Sequence, residues 1–134
     1  MQRLKTRPQF QAALSGGTVS RTPHFALHRL NLPEHKLPAA QAPEPRALFQ
    51  SQEVWLGAMV PKRWARRAVT RNTIKRQIYA ISSAFENRLP CAAHVVRLRS
   101  EFDRRLFISA TSPMLKQAVR LELEQLFERA AQQP

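Results

Sequence analysis

Apolar residues recur along this 134-residue chain at two different periods. Phe10, Ala13 and Leu14 share one helical face. Ahead of them, the Thr6-to-Gln9 spacing fits a capping box and Pro8 suits a first turn, while Gly16-Gly17 stops the helix. Residues 18–30 alternate instead, with Phe25 and Leu27 on one side and Ala26, His28 and Leu30 on the other. Pro23 divides this run into two short strands or one bent strand. Val54 to Val60 is an apolar run ending at Pro61, as a strand buried on both faces would be. Ile74, Ile78, Ile81 and Phe85 then return to helical spacing, predicting a helix from about Ala68 to Arg88 that stops near Pro90. Ala92 to Leu98 reads as another strand. Residues 100–111 are ambiguous, with a short helix around Phe102 to Ile108 as the expectation. Ser112-Pro113 opens a last helix whose face, Leu115, Ala118, Val119 and Leu126, is broken only by Glu122. The order α-β-β-β-α-β-α predicts an α+β fold, a two-layer sandwich in which one mixed sheet is packed by helices. A single domain over residues 1–134 fits this length.

Composition marks two segments outside that framework. Four of the ten prolines, Pro33, Pro38, Pro43 and Pro45, fall within residues 31–52, which predicts a long, exposed, Pro-rich inserted loop. Residues 128–134 are expected to form a flexible tail. Cys91 is the only cysteine, which excludes an intramolecular disulfide and a Cys-rich zinc site; it reads as a small buried hydrophobe. No run approaches the roughly 20 apolar residues of a membrane-spanning helix, and Met1 to Pro8 lacks the apolar stretch of a secretion signal. A cytoplasmic location without membrane contact is the expectation.

Charge narrows the partner class. The chain carries 22 Lys and Arg against 9 Asp and Glu, a net charge of +13, which favours a polyanionic partner, nucleic acid ahead of a membrane surface. No acidic residue lies between Glu53 and Glu86, whereas Lys62, Arg63, Arg66, Arg67, Arg71, Lys75 and Arg76 all do. At 100° per residue, Arg71, Asn72, Lys75, Arg76 and Tyr79 share a broad face opposite the isoleucine stripe. A merely solvated helix face would intersperse glutamates, as Arg120 and Glu124 do in the last helix. Arg and Asn together suit phosphate oxygens and base edges. The scattered acids show no cluster for metal-dependent hydrolysis, and no Gly-rich phosphate loop exists. His24 and His28, four apart on a strand-like segment, would sit about 13 Å apart, too far to share a metal, and read as surface or cleft histidines.

The stretch Leu56 to Arg76, with its strand, basic loop and Arg71-Asn72-Thr73-Ile74-Lys75-Arg76 helix opening, resembles the signature region of the protein subunit of bacterial ribonuclease P. The resemblance extends to Phe10 in a first helix, the following strands and the terminal Leu126-Phe127 helix. Two departures are Thr73, where the family usually has Arg, and the length of the 31–52 segment. The resemblance implies a fold of the ribosomal-protein-S5-domain-2-like type. It also implies a partnership in which a catalytic RNA, holding most of the magnesium, performs the hydrolysis, so that the protein has no catalytic residues of its own. The protein would bind that RNA one to one, together with the 5′ leader of precursor transfer RNA, to promote 5′-end maturation. On this basis Lys62, Arg63, Arg66, Arg67, Arg71, Asn72, Lys75 and Arg76 are candidate RNA contacts. Phe10, Leu14, Phe25, His28 and Met59 would line or border a leader cleft between the first helix and the sheet. The family usually has a second aromatic where Leu14 stands and often Tyr in place of His28. For Phe25 and Leu14 a plain core role is the competing reading. A structural RNA binder of ribosomal type fits the same charge and size and stands as the alternative; a helix-turn-helix DNA regulator fits less well, because the basic helix lacks a partner helix at short turn distance.

Overall fold

The computed structural model describes residues 1–32, 49, 53–102 and 112–132. Their elements run β1 (Gln2–Arg3), α1 (Arg7–Ser15), β2 (Thr18–Arg21), β3 (Phe25–Asn31), β4 (Trp55–Met59), α2 (Ala68–Phe85), a 3-10 turn (Glu86–Arg88), β5 (Ala92–Leu98) and α3 (Pro113–Ala131). The α+β order read from periodicity is present, with a two-residue edge strand added at the start.

Local chemistry sets the helix ends. The Thr6 side chain accepts from the Gln9 amide at 3.3 Å while the Gln9 side chain accepts from the Thr6 amide at 3.1 Å, a complete capping box. Gly17, at φ 98°, turns the chain out of α1 in a conformation that L side chains rarely adopt. Gly16 could carry no side chain either, because a Cβ there would lie 2.1 Å from the Arg29 carbonyl oxygen. At α3 the Ser112 hydroxyl caps the Leu115 amide, with Pro113 in the first turn.

The five strands form one mixed sheet in the order β1-β4-β5-β3-β2. The β1–β4 and β4–β5 pairs are parallel, while β5–β3 and β3–β2 are antiparallel. The β4-α2-β5 unit is therefore a helical crossover, which a parallel pair requires. Helices lie on both faces. On one, α2 and α3 pack over Phe25, Leu27, Leu56, Ala58, Val96 and Leu98. On the other, α1 packs over Ala93 and Val95, with Leu4 and Phe49 beside it.

Several expectations are corrected. Residues 128–131 are not tail but the last turn of α3, where Ala130 is fully buried and its carbonyl accepts from the Arg29 guanidinium at 2.9 Å. Cys91 is exposed rather than buried; it precedes β5, whose apolar alternation begins one residue later. Most of the 31–52 segment and the ambiguous 103–111 stretch lie outside the described residues. Within the first of these, Phe49 is buried and meets the Trp55 ring edge-on at 5.4 Å, so that position is an anchor and not exposed loop. Glu122 interrupts the apolar face of α3 for a reason: its carboxylate accepts from the His24 backbone amide and contacts His24 Nδ1 at 2.8 Å.

Candidate nucleic-acid interface

The basic segment begins where β4 ends. Pro61 to Arg67 forms a turn whose Ala65 is buried and whose Trp64 packs against the core, leaving Lys62, Arg63, Arg66 and Arg67 exposed. Arg63 folds back, its guanidinium 5.1 Å from the Trp64 ring centroid. α2 then starts with no side-chain cap and no acid in its first turn. The partial positive charge of that helix end thus adds to Arg66 and Arg67 instead of being neutralised, a combination suited to anions.

Arg71 differs from its neighbours. Its guanidinium donates to the Ala65 and Arg66 carbonyls at 3.1 and 2.7 Å, so it braces the basic turn that leads into the helix. Thr73, at the position where the resemblance leads one to expect Arg, is buried and donates to the Val69 carbonyl at 2.8 Å. Asn72 and Arg76 are exposed and Lys75 partly so; together they line one side of an open groove of about 580 Å³. Among the described residues, none of Lys62, Arg66, Arg67, Lys75 and Arg76 pairs with a carboxylate. The opposite stripe, Ile74, Ile78 and Ile81, is buried as its spacing predicts.

The α1 face gathers a second group. Phe10 and Leu14 on α1 and Met59 on β4 are partly buried around the second core, next to Trp55 and Leu30. Phe10 approaches the sheet so closely that a Cβ on Gly57 would lie 2.5 Å from its ring; glycine at 57 is what lets α1 sit there. His28 faces the same side. It contacts the Thr18 hydroxyl through Nδ1 at 3.3 Å and accepts from Arg97 Nε through Nε2 at 3.3 Å. Burial first, then the nearby Arg97 and Arg21 charges, push its pKa below the ordinary histidine value.

Phe25 does not belong to this group. It is fully buried on the opposite face, tilted against Phe102 at 5.9 Å, because three residues along a strand separate it from His28 and an odd separation reverses the face. His24 and His28 also part company: His24 stacks on Phe102 at 3.9 Å and meets Glu122 of α3. Arg3 and Arg97 were not among the expected site residues. Arg97 could have been noticed as the charged member of an apolar strand, whereas a two-residue edge strand carries no periodic signal that would have pointed to Arg3.

Magnesium held by protein alone would need several carboxylate or carbonyl oxygens in one place. Among the described residues no three His, Cys, Asp or Glu side chains come together, so this donor set does not fit such a site. Nor is any described helix long and apolar enough to cross a membrane.

A family model described as ribonuclease P matches residues 1–131. The chain belongs to the ribonuclease P protein family. A ribonuclease P protein component of Bordetella parapertussis is 34% identical over 129 residues, covering 96% of this chain and 91% of the relative. That of Bordetella petrii is 32% identical over 127 residues, covering 95% and 89%. The fold is shared with the Staphylococcus aureus RNase P protein, at TM-score 0.67 and 19% identity over 97% of this chain and 95% of that one. Membership makes the chain the protein component of an RNA-processing endonuclease holoenzyme. The five-stranded mixed sheet with three helices is the family's α+β architecture.

Proposed function

We propose that the chain works in 5′-end maturation of transfer RNA through two surfaces on opposite sides of its sheet. The α2 surface, with Lys62, Arg63, Arg66, Arg67, Asn72, Lys75 and Arg76, binds the catalytic RNA. The cleft beside α1, with Phe10, Leu14, His28 and Met59, accepts the single-stranded 5′ leader of precursor transfer RNA. Arg71 supports the first surface by holding the basic turn in shape. Hydrolysis belongs to the RNA, with magnesium bound mainly by its phosphates, and one protein serves one RNA in the cytoplasm.

The observation that carries this reading is the uncompensated cationic surface of α2 and the turn before it in a chain of this family. Five cations there lack a carboxylate partner among the described residues, and such a surface repels itself until a polyanion neutralises it. Reconstitution tests the reading. The purified protein alone should leave precursor transfer RNA intact, and adding the cognate catalytic RNA with magnesium should produce cleavage at the mature 5′ end. Cleavage by protein freed of all RNA would overturn the assignment of catalysis to the RNA.

A further inference from the structure

We propose that the groove between the N-terminal edge strand and α2 is a subsite for the RNA phosphate backbone, with Arg3 as a contact residue held in place by Tyr79. This deepens the cationic-surface reading and rests on it.

The backbone around Arg3 is fixed from both sides. β1 pairs in parallel with Trp55 and Leu56, the Gln2 amide donates to the Val54 carbonyl, and the Leu4 amide donates to the Leu56 carbonyl, both at 2.9 Å. Leu4 is buried in the core beneath α1, so alternate residues of this edge serve opposite faces of the sheet. Arg3 is thereby directed to the α2 side, where its guanidinium carbon lies 4.0 Å from the Tyr79 ring centroid. A guanidinium held over an aromatic ring by cation–π attraction still has N–H donors available for two-pronged bonding to a phosphate. Among the described residues those donors meet no carboxylate and no carbonyl.

The rest of the groove supplies the same chemistry. Lys75 and Arg76 line it with Asn72 and Ser83, and no acidic residue does. Glu53, two residues ahead of β4, accepts from the Gln2 side chain at 3.1 Å. Three cations around an open volume of about 580 Å³ make a site of ligand size whose natural occupant is anionic. A stacked base is disfavoured, because Arg3 covers the Tyr79 face that a base would need. The Asn72 amide offers both a donor and an acceptor to a ribose 2′-hydroxyl. The site therefore reads backbone and contributes affinity without sequence preference.

The full-length protein and the transcribed catalytic RNA, titrated over a salt series, provide the test. Arg3→Gln should bind roughly tenfold more weakly near physiological salt, the measure of one charge-assisted hydrogen bond. Its log–log salt slope should be smaller by about 0.7–0.9, with an unchanged unfolding midpoint. Arg3→Lys should restore the slope but only part of the affinity, since a lysine has no planar fork to lay on the ring. Lys75→Ala/Arg76→Ala separates the two levels of the argument. If that pair weakens binding while Arg3→Gln binds as the unaltered protein does, the subsite is wrong and the cationic surface stands. If neither variant weakens binding, the cationic surface itself is wrong and the subsite falls with it.

Discussion

On one face of the sheet α2 and α3 close over Phe25, Leu27, Leu56 and Val96, which are fully buried; on the other, α1 leaves Phe10, Leu14, Trp55 and Met59 only partly covered. The two faces share their strands, so the contrast comes from what lies on top. α2 and α3 are 18 and 19 residues long and pack against each other as well as the sheet. α1 has 9 residues and stops at Gly16-Gly17, too short to shield the whole surface. One face can hold the molecule together and the other can remain available, which is how a small chain combines a core with an apolar binding surface.

The sharpest way to break this division is at Phe25. Phe25→Ala removes a fully buried ring facing Phe102 and should cost about 3–5 kcal/mol of folding stability. Urea unfolding measures it. Discrimination between precursor and mature transfer RNA should be unchanged at temperatures where the variant is folded; altered discrimination with an unchanged unfolding midpoint would return Phe25 to the leader cleft.

The second effect is acid sensitivity, carried by His94 on the sealed face. His94 is fully buried, its Nε2–H donates to the Pro90 carbonyl at 3.1 Å, and Nδ1 meets no partner among the described residues. Burial pushes its pKa down to about 4, against a slight upward pull from the Pro90 carbonyl, with the Arg29 charge lowering it further. Because the folded value lies below the unfolded one near 6.5, the unfolded chain binds the proton more readily. The associated stability is present above pH 6.5 and is lost as pH falls towards 4, to the extent of about 3 kcal/mol. The stability difference between the unaltered protein and His94→Leu should shrink by that amount between pH 7 and 4. A difference that ignores pH would show that the ring is not kept neutral by burial. His28, on the α1 side, has partners at both nitrogens, so an equivalent comparison with His28→Leu should show a smaller change.

How much of this was legible beforehand follows the same division. Elements set by local chemistry could be read directly: the Thr6–Gln9 box, the Ser112-Pro113 start and the Ala92–Leu98 strand appear where the spacing puts them. So does the buried stripe of α2, because a single long period is its own signal. What alternation cannot tell is which helix lies over which set of residues. β3 is apolar on both sides since both sides are covered, so Phe25 and His28 could be separated by parity but not allotted to a face. Arg71 shows the limit for the basic segment: the sequence places a cation on the exposed side but does not reveal that two loop carbonyls occupy it. Arg3 was hidden because β1 acquires its position only from pairing with β4.

A smaller effect probes the seam between α1 and the sheet. Gly57→Ala would put a methyl group 2.5 Å from the Phe10 ring and 2.8 Å from the end of Leu4, both of which are side chains that can yield. The cost should be about 1–3 kcal/mol of stability. Because Phe10 makes the tightest of these contacts and must shift along with Leu4, precursor binding should weaken together with stability, which calorimetry and binding titration on the same variant can follow. Loss of stability with precursor binding intact would mean that the position of Phe10 is irrelevant to the leader.

Phe10→Ala gives the smallest expected change and the most specific one. Phe10 is only partly buried, so its truncation should destabilise the fold less than Phe25→Ala does. Its expected consequence is in recognition. The leader is carried by precursor and absent from mature transfer RNA, so removing one aromatic surface from the cleft should weaken holoenzyme binding of the precursor by up to about 1–3 kcal/mol, the contribution of one stacked base. Binding of mature transfer RNA should hardly change, and neither should assembly with the catalytic RNA, for which the proposed surface is α2 on the other side of the sheet. Measuring all three affinities alongside the unfolding midpoint isolates the leader contribution, because a general loss of structure would lower them together. Equal weakening towards precursor and mature transfer RNA would remove Phe10 from the leader site and leave the partly covered face of the sheet without that role.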